Sequence, residues 1–146
     1  MTVSKTIMDT LQASPESDRA NRRRGAWRVV QVRNLRTQST VAYRVEVADR
    51  GPVRRRGLLG RHSLDEGEGL WIVPCEAVHT FGMRFPIDLV FLDRRNVVRK
   101  VRSNVPPWRM SGCLRARSVL ELAAGTLKRM SVAPGDMLQF SPPPNL

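Results

Sequence analysis

The sequence predicts one mainly β domain with short helices, of the compact sandwich or barrel type. Of its 146 residues 41% are apolar, which is enough for a single core. Seventeen residues are valine and only three are isoleucine, and β-branched valine favours strands. Several valine-rich runs alternate with polar residues, which is the period of a strand buried on one face.

The predicted domain occupies residues 26–141. Residues 1–25 are polar, lack apolar periodicity and end in Arg22, Arg23 and Arg24, so we expect a disordered basic tail. Residues 142–146 begin with three prolines and form a short C-terminal tail. No internal repeat occurs, which excludes solenoids and propellers.

The first half of the domain predicts three strands and one helix. Valine alternates with polar residues over 27–34 and again over 41–48, which predicts neighbouring strands. Pro52 and Gly60 bracket a helix of about two turns, because proline suits the first turn and glycine follows the last. The compact apolar run 69–73 is the next strand.

The second half predicts a hairpin, a further strand, a helical turn and a closing strand. Residues 88–93 and 97–101 form the hairpin, with a turn at Arg95 and Asn96. Residues 104–118 contain two prolines and no alternation, so we expect an irregular connection. The remaining elements are a strand at 118–124, a helical turn at 126–130 and a strand at 137–140 preceded by a turn at Gly135 and Asp136.

The chain is strongly basic. It has 25 Lys and Arg against 13 Asp and Glu, for a net charge of +12, and 22 of the bases are arginine. Such a surface attracts anionic ligands or nucleic acid without specifying which. No helix-turn-helix, KH loop or aromatic RNP-like strand is present, so nucleic-acid binding would be non-specific. The clusters at 54–56 and 94–95 are equally compatible with solvated surface charge.

The cysteine content predicts a reducing compartment. The two cysteines, Cys75 and Cys113, are too few for a disulfide scaffold and lack the paired spacing of a zinc ribbon. The N-terminus has no apolar signal region, and no apolar run is long enough to span a membrane. We therefore expect a cytoplasmic protein with no membrane partner.

Several motifs in one order resemble the domain-of-unknown-function family 192. They are RRRGLLGR at 54–61, GLWIV at 69–73, VHTFGMRFPIDLVFLD at 78–93, SVLELAAG at 118–125 and GD at 135–136. The resemblance spans roughly residues 30–140. It implies a compact β-rich fold of jelly-roll type and no established activity. Many relatives carry an export signal and often an aromatic residue where Gly82 stands, whereas this chain resembles the cytoplasmic members.

Two carboxyl groups lie in strands that are apolar on both faces, Asp88 in the strand 88–93 and Glu121 in the strand 118–124. Burial of an unpaired carboxylate costs several kcal/mol, so each must find a cation or backbone N–H donors, or else stay neutral. We expect Arg56 to form a structural ion pair with them, so that Arg56→Ala would cost about 3 kcal/mol. A catalytic acid/base pair of the same two carboxyl groups is the alternative.

His79 and Cys75 lie four residues apart. A nucleophilic Cys75 with His79 as its base is one interpretation, and a buried thiol beside a hydrogen-bonded structural histidine is the other. Cys75, His79 and Cys113 could supply three metal ligands, but their spacing fits no familiar site. We predict neither a metal nor a cofactor.

Aromatic side chains cluster around the central motif. Trp71, Phe81, Met83, Phe85 and Trp108 could line a pocket, with donors from Arg84 and Arg109, or could pack in the core. Trp108 lies among prolines in a loop, where binding residues concentrate, so we expect it to be an exposed contact.

Two functions of different classes remain. The preferred hypothesis is a non-catalytic binding or accessory domain for an unknown small molecule or protein, with a cleft near His79, Thr80, Met83, Arg84, Asp88, Trp108 and Glu121. The alternative is a hydrolase or transferase that uses Asp88, Glu121 and His79 as acid/base groups.

Overall fold

The computed structural model describes residues 28–144. Within that range nine strands and two short helices occur: β1 (Val29–Asn34), β2 (Ser39–Ala48), α1 (Gly51–Arg56), β3 (Glu68–Ile72), β4 (Ala77–His79), β5 (Ile87–Leu92), β6 (Val98–Val105), β7 (Met110–Gly112), β8 (Ser118–Ala123), α2 (Thr126–Arg129) and β9 (Leu138–Ser141). The tail predicted for residues 1–25 lies outside the described residues. The predicted domain limits therefore stay a prediction.

Seven strands form one curled sheet in the order β6-β5-β8-β3-β2-β1-β9, and β4 pairs with β7 in a small second sheet. The mainly β class with few short helices, of the barrel or sandwich type, is confirmed. Every pairing is antiparallel except that of β2 with β3. Two parallel strands cannot be joined by a tight hairpin, and the connection between β2 and β3 contains α1.

The central strands β5 and β8 are buried at all six of their positions. Successive residues of a strand point to opposite faces, so each strand supplies side chains to two apolar clusters. On one face Val90, Leu92, Leu120 and Leu122 pack with Leu127 of α2. On the other face Ile87, Leu89, Phe91 and Val119 pack with Leu58, which follows α1. Each face of the central sheet is thus covered by one helix-containing connection.

Local elements agree with the sequence prediction, and two connections differ. The turn at Arg95 and Asn96 is present, and both residues lie close to Asp93, whose Oδ1 accepts the Arg95 N–H at 2.8 Å. The helix begins as expected but ends at Arg56, because Gly57 adopts a positive φ of 51°. The connection 104–118 is not wholly irregular: it holds the end of β6 and all of β7, whose partners lie far away in the sequence.

Asp136 joins the first and last strands. This buried carboxylate accepts hydrogen bonds from Asn34 Nδ2 at 2.8 Å, from the Ala133 backbone N–H at 3.0 Å and from Arg36 Nε at 2.6 Å. The Arg36 hydrogen bond, assisted by the Ala133 and Asn34 donors, lowers the pKa of Asp136 to about 2 although desolvation opposes this. The sequence predicted only a turn here, since Arg36 lies 100 residues away.

The lowered pKa predicts an acid-sensitive contribution to stability. The charged form of Asp136 is favoured in the folded state, so its contribution is complete above the unfolded pKa near 3.8 and is lost as the pH falls towards 2. Because Arg36 is half exposed, we expect Asp136→Asn to lower the free energy of unfolding at pH 7 by about 1 to 2 kcal/mol. Urea unfolding at pH 2 to 7 measures this difference, which should shrink below pH 4.

The exposed Asp49 provides a matched control, because Asp49→Asn removes the same charge from a side chain on the surface. The two variants should differ at pH 7 and converge at pH 2. Equal unfolding free energies at pH 7 would contradict a structural role for Asp136.

Candidate functional site

A cleft of about 570 Å³ lies between α1 and the segment that carries β4. Its apolar surface comes from Leu58, Ile72 and Met83, all of which are buried. The arginines of α1 and the residues Cys75 and His79 line its sides, and Glu121 reaches it from β8. The volume lies in the range of about 300 to 1,000 Å³ that is typical of small-molecule sites.

Helix α1 places three consecutive arginines at this cleft. Pro52 suits its first turn, and Arg54, Arg55 and Arg56 occupy its last turn, where cations interact favourably with the helix carbonyls. Arg54 donates from Nη1 to the Pro74 carbonyl oxygen at 3.3 Å, which links α1 to the far wall. The remaining two guanidinium groups are exposed, so one side of the cleft carries concentrated positive charge.

Glu121 is the buried polar group of the cleft. Its residue is only 4% exposed, and its Oε2 atom has no hydrogen-bond partner. Desolvation raises the pKa of Glu121 to about 7, although the nearby charge of Arg61 lowers it in part. Glu121 therefore holds its proton almost to neutral pH, and a protonated carboxyl can donate one hydrogen bond as well as accept.

Asp88 lies on the opposite face of the sheet from Glu121. In the β5–β8 pairing Asp88 is opposite Leu122, and Leu89 is opposite Glu121. Paired residues share a face, so the two carboxyl groups point to different sides. Asp88 accepts the Asn104 backbone N–H at 2.7 Å and the Leu127 backbone N–H at 2.9 Å.

The predicted ion pair of Arg56 with Asp88 and Glu121 is therefore wrong. One guanidinium cannot reach both faces of the sheet, and two backbone N–H groups already satisfy Asp88. Arg56 is exposed at the cleft, and the charge that acts on Glu121 is that of Arg61. The predicted burial of both carboxyl groups is correct.

Cys75 and His79 do not hydrogen-bond to each other. The Cys75 thiol donates to the Ala77 carbonyl oxygen at 3.2 Å, and His79 Nδ1 accepts the Phe81 backbone N–H at 3.3 Å. Burial raises the pKa of the Cys75 thiol, which reduces the fraction present as nucleophilic thiolate. Across residues 28–144 no three His, Cys, Asp or Glu side chains lie close enough to share a metal ion.

Thr80, Arg84 and Trp108, which the sequence also predicted around the cleft, do not line it. Thr80 is buried and donates from Oγ1 to the Pro106 carbonyl oxygen at 2.7 Å. Arg84 is exposed and donates to His62 Nδ1 at 3.0 Å, and Trp108 is exposed as expected.

The predicted aromatic pocket does not form. Trp71 stacks on Phe140 at a centroid distance of 3.9 Å and packs against the cluster around Leu120. Phe85 packs against the cluster on the other face. Of the five proposed lining residues, Met83 lines the cleft.

A family model confirms the resemblance that the order of motifs indicated. The model of domain-of-unknown-function family 192, described as an uncharacterised ACR, matches residues 32–140. The chain belongs to this family. A search of curated proteins finds no match.

Two solved structures resemble this family-192 domain. One is a protein from Sinorhizobium meliloti described as a "putative transcription regulator", with 26% identity and a TM-score of 0.69 over 79% of this chain and 94% of that chain. The other is a protein of unknown function from Novosphingobium aromaticivorans, with 22% identity and a TM-score of 0.67 over 77% of this chain and 84% of that chain. The second likeness shows the fold.

Of the seven residues that the sequence of this family-192 chain predicted around a cleft, His79, Met83 and Glu121 line the cleft of the structure. The sequence did not predict that Arg54 and Arg55 line the cleft. The available signal was the run of three arginines at 54–56, which begins two residues after Pro52 and so lies on the predicted helix. No local signal places that helix over the face of β8 that carries Glu121.

The raised pKa of Glu121 predicts a stability that falls as the pH rises. The unfolded state loses this proton near pH 4.5 and the folded state near 7, so the free energy of unfolding decreases between these values. Glu121→Gln keeps the shape without the charge, and we expect it to be more stable than the parent at pH 8 by about 2 to 3 kcal/mol. Thermal and urea unfolding at pH 4 to 8 measure this.

Glu76→Gln is the control for Glu121→Gln, because Glu76 is exposed one residue from Cys75. It should leave the slope between pH 4.5 and 7 unchanged. If Glu121→Gln also left it unchanged, Glu121 would be charged and solvated in the folded protein.

Because Arg56 is exposed and Asp88 is buried, we expect their substitutions to lower the free energy of unfolding by different amounts. Arg56→Ala removes an exposed side chain and should change the free energy of unfolding by less than about 0.5 kcal/mol. Asp88→Asn replaces an acceptor that holds two backbone N–H groups, and it should cost about 2 to 3 kcal/mol. Urea denaturation of both variants measures these differences. A larger loss for Arg56→Ala than for Asp88→Asn would contradict this assignment and support an ion pair of Arg56.

Proposed function

We propose that this chain is a non-catalytic binding domain whose cleft takes a small molecule with an anionic head and an apolar body. The observation that carries the proposal is the unpartnered carboxyl of Glu121, buried at a cleft lined by arginines. Buried polar atoms normally have partners, and an unsatisfied one costs about 1 to 3 kcal/mol. A ligand that hydrogen-bonds to Glu121 would remove that cost.

The charge and the apolar surface of the cleft support this ligand class. Arg55 and Arg56 are exposed on α1 and offer planar donors that suit carboxylates and phosphates. Leu58, Ile72 and Met83 offer apolar contact below them. Both requirements are met by an aliphatic or aromatic acid or phosphate.

The enzyme alternative finds less support. A hydrolase or transferase that used Asp88 with Glu121 would need both groups in one cleft, whereas they lie on opposite faces of the sheet. The raised pKa of Cys75 also disfavours thiolate catalysis.

The cytoplasm remains our proposed compartment. Both cysteines are free thiols, which fits a reducing environment. Among the described residues no helix is long and apolar enough to cross a membrane.

Octanoate and octyl phosphate are suitable probes, with octanol as the uncharged comparison. We expect both anions to raise the melting temperature of the full chain and octanol to do so much less. A hundredfold excess over Kd corresponds to a gain of about 2.7 kcal/mol in the free energy of unfolding. Differential scanning fluorimetry followed by isothermal titration calorimetry measures the shift and the affinity.

Two double variants with the same charge change separate the cleft from general basicity. Arg55→Ala with Arg56→Ala should abolish most of the shift, whereas Arg94→Ala with Arg95→Ala, in the β5–β6 turn, should preserve it. Equal loss in both, or no shift with either anion at millimolar concentration, would overturn the proposal.

A further inference from the structure

Three aromatic side chains form a stacked surface beside the cleft, which we name the aromatic ladder: His79, Phe81 and Trp108. The ring centroids of His79 and Phe81 are 5.0 Å apart, and those of Phe81 and Trp108 are 5.9 Å apart, with interplanar angles of 27° and 25°. Trp108 is 66% exposed and Phe81 is 40% exposed. The ladder is therefore exposed to solvent rather than packed in the core, most of all at Trp108.

A dense set of hydrogen bonds around Thr80 holds the ladder in place. The Thr80 backbone N–H donates to the Arg109 carbonyl oxygen at 2.8 Å, and the Trp108 N–H donates to the Thr80 carbonyl oxygen at 3.1 Å. Thr80 Oγ1 also accepts the Arg109 N–H at 2.9 Å and donates to the Pro106 carbonyl oxygen at 2.7 Å. Phe81 and Trp108, from two separate segments, are thus fixed side by side.

Trp108 adopts a strained backbone conformation. Its φ is +67°, a left-handed region that is uncommon and energetically costly for a bulky residue. Trp108 packs against no core cluster of the described residues, so core packing does not account for this cost. A rigid, exposed and strained aromatic side chain is characteristic of a contact residue.

The two segments that carry the ladder are basic, although the exposed Glu76 lies three residues before His79. The segments 77–87 and 98–116, which carry it, contain no Asp or Glu, and they contain six Lys or Arg. Arg84 and Arg109 are exposed and lie within one to three residues of Phe81 and Trp108. An aromatic surface flanked by arginines matches a polymer that offers flat rings and phosphates in alternation.

We propose that the aromatic ladder binds single-stranded nucleic acid. An unpaired base would extend the stack on the exposed side of Trp108, which Phe81 supports from the other side, while Arg84 and Arg109 contact the adjacent phosphates. A duplex fits less well, because its bases are already stacked on one another and present edges rather than faces. The ladder shares His79 with the lining of the cleft, but base stacking on Trp108 does not depend on the proposed cleft ligand.

The test is fluorescence anisotropy of the full chain with fluorescein-labelled twelve-nucleotide oligo(dT) and oligo(U), compared with a twelve-base-pair duplex. We expect the single strands to bind at least about tenfold more tightly than the duplex. Trp108→Ala should weaken single-strand binding by about 5- to 100-fold, the effect of one lost base stack. Trp108→Phe should recover most of the affinity, because the aromatic face remains.

Tyr43→Ala is the matched control, since Tyr43 is an exposed aromatic residue on β2, three strands away from β5 in the sheet. It should leave the affinity unchanged. Arg84→Ala with Arg109→Ala should reduce the slope of log affinity against log salt by about 1.4, the value for two phosphates of a single strand.

Two outcomes would overturn the proposal. Equal affinity for duplex and single strand would mean that only net charge attracts the polymer. Trp108→Ala binding as tightly as Tyr43→Ala would mean that no base stacks on the ladder. Both outcomes leave the octanoate result untouched, so failure here is distinguishable from failure of the cleft proposal.

Discussion

Burial of the central strands β5 and β8 on both faces is the constraint on which the site depends. Each strand carries one carboxyl group, and the pairing register sends Asp88 to one face and Glu121 to the other. On the first face α2 supplies a backbone N–H to Asp88. On the second face the connection through α1 leaves Oε2 of Glu121 without a donor and leaves a cleft above it. One packing constraint thus produces a structural carboxylate and a candidate ligand contact.

The sequence predicted those features that depend on residues close together in the chain. Alternation of valine, the turn at Arg95 and Asn96, and the burial of Asp88 and Glu121 follow from residues close together in the chain, and all are present. Strand order and register are set by contacts between distant segments. The Arg56 prediction failed for that reason. Asp88 and Glu121 occupy similar apolar strands, and only the pairing register shows that they point to opposite faces of the sheet.

Short or irregular segments were the least predictable. The strands β4 and β7 have three residues each and exist because they pair across more than thirty positions. The exposure of Trp108 followed from its proline-rich loop, but its stacking on Phe81 depends on hydrogen bonds of Thr80 that no local pattern indicates. Asp136 was predicted as a turn residue. Its hydrogen bond with the distant Arg36 also connects the end of β1 to the start of β9.

The parallel pairing of β2 with β3 determines where the cleft lies. The chain leaves the sheet after β2, crosses one face and returns, so the connection 49–67 lies over the face that carries Glu121. The second half of this connection is attached to β2, since the Gly67 carbonyl oxygen accepts the Tyr43 and Arg44 backbone N–H groups and Arg61 forms an ion pair with Glu46. The first half, from Gly51 to Leu59, supplies much of the lining of the cleft, so substitutions there would change the shape and charge of the cleft while the strand pairing stays in place.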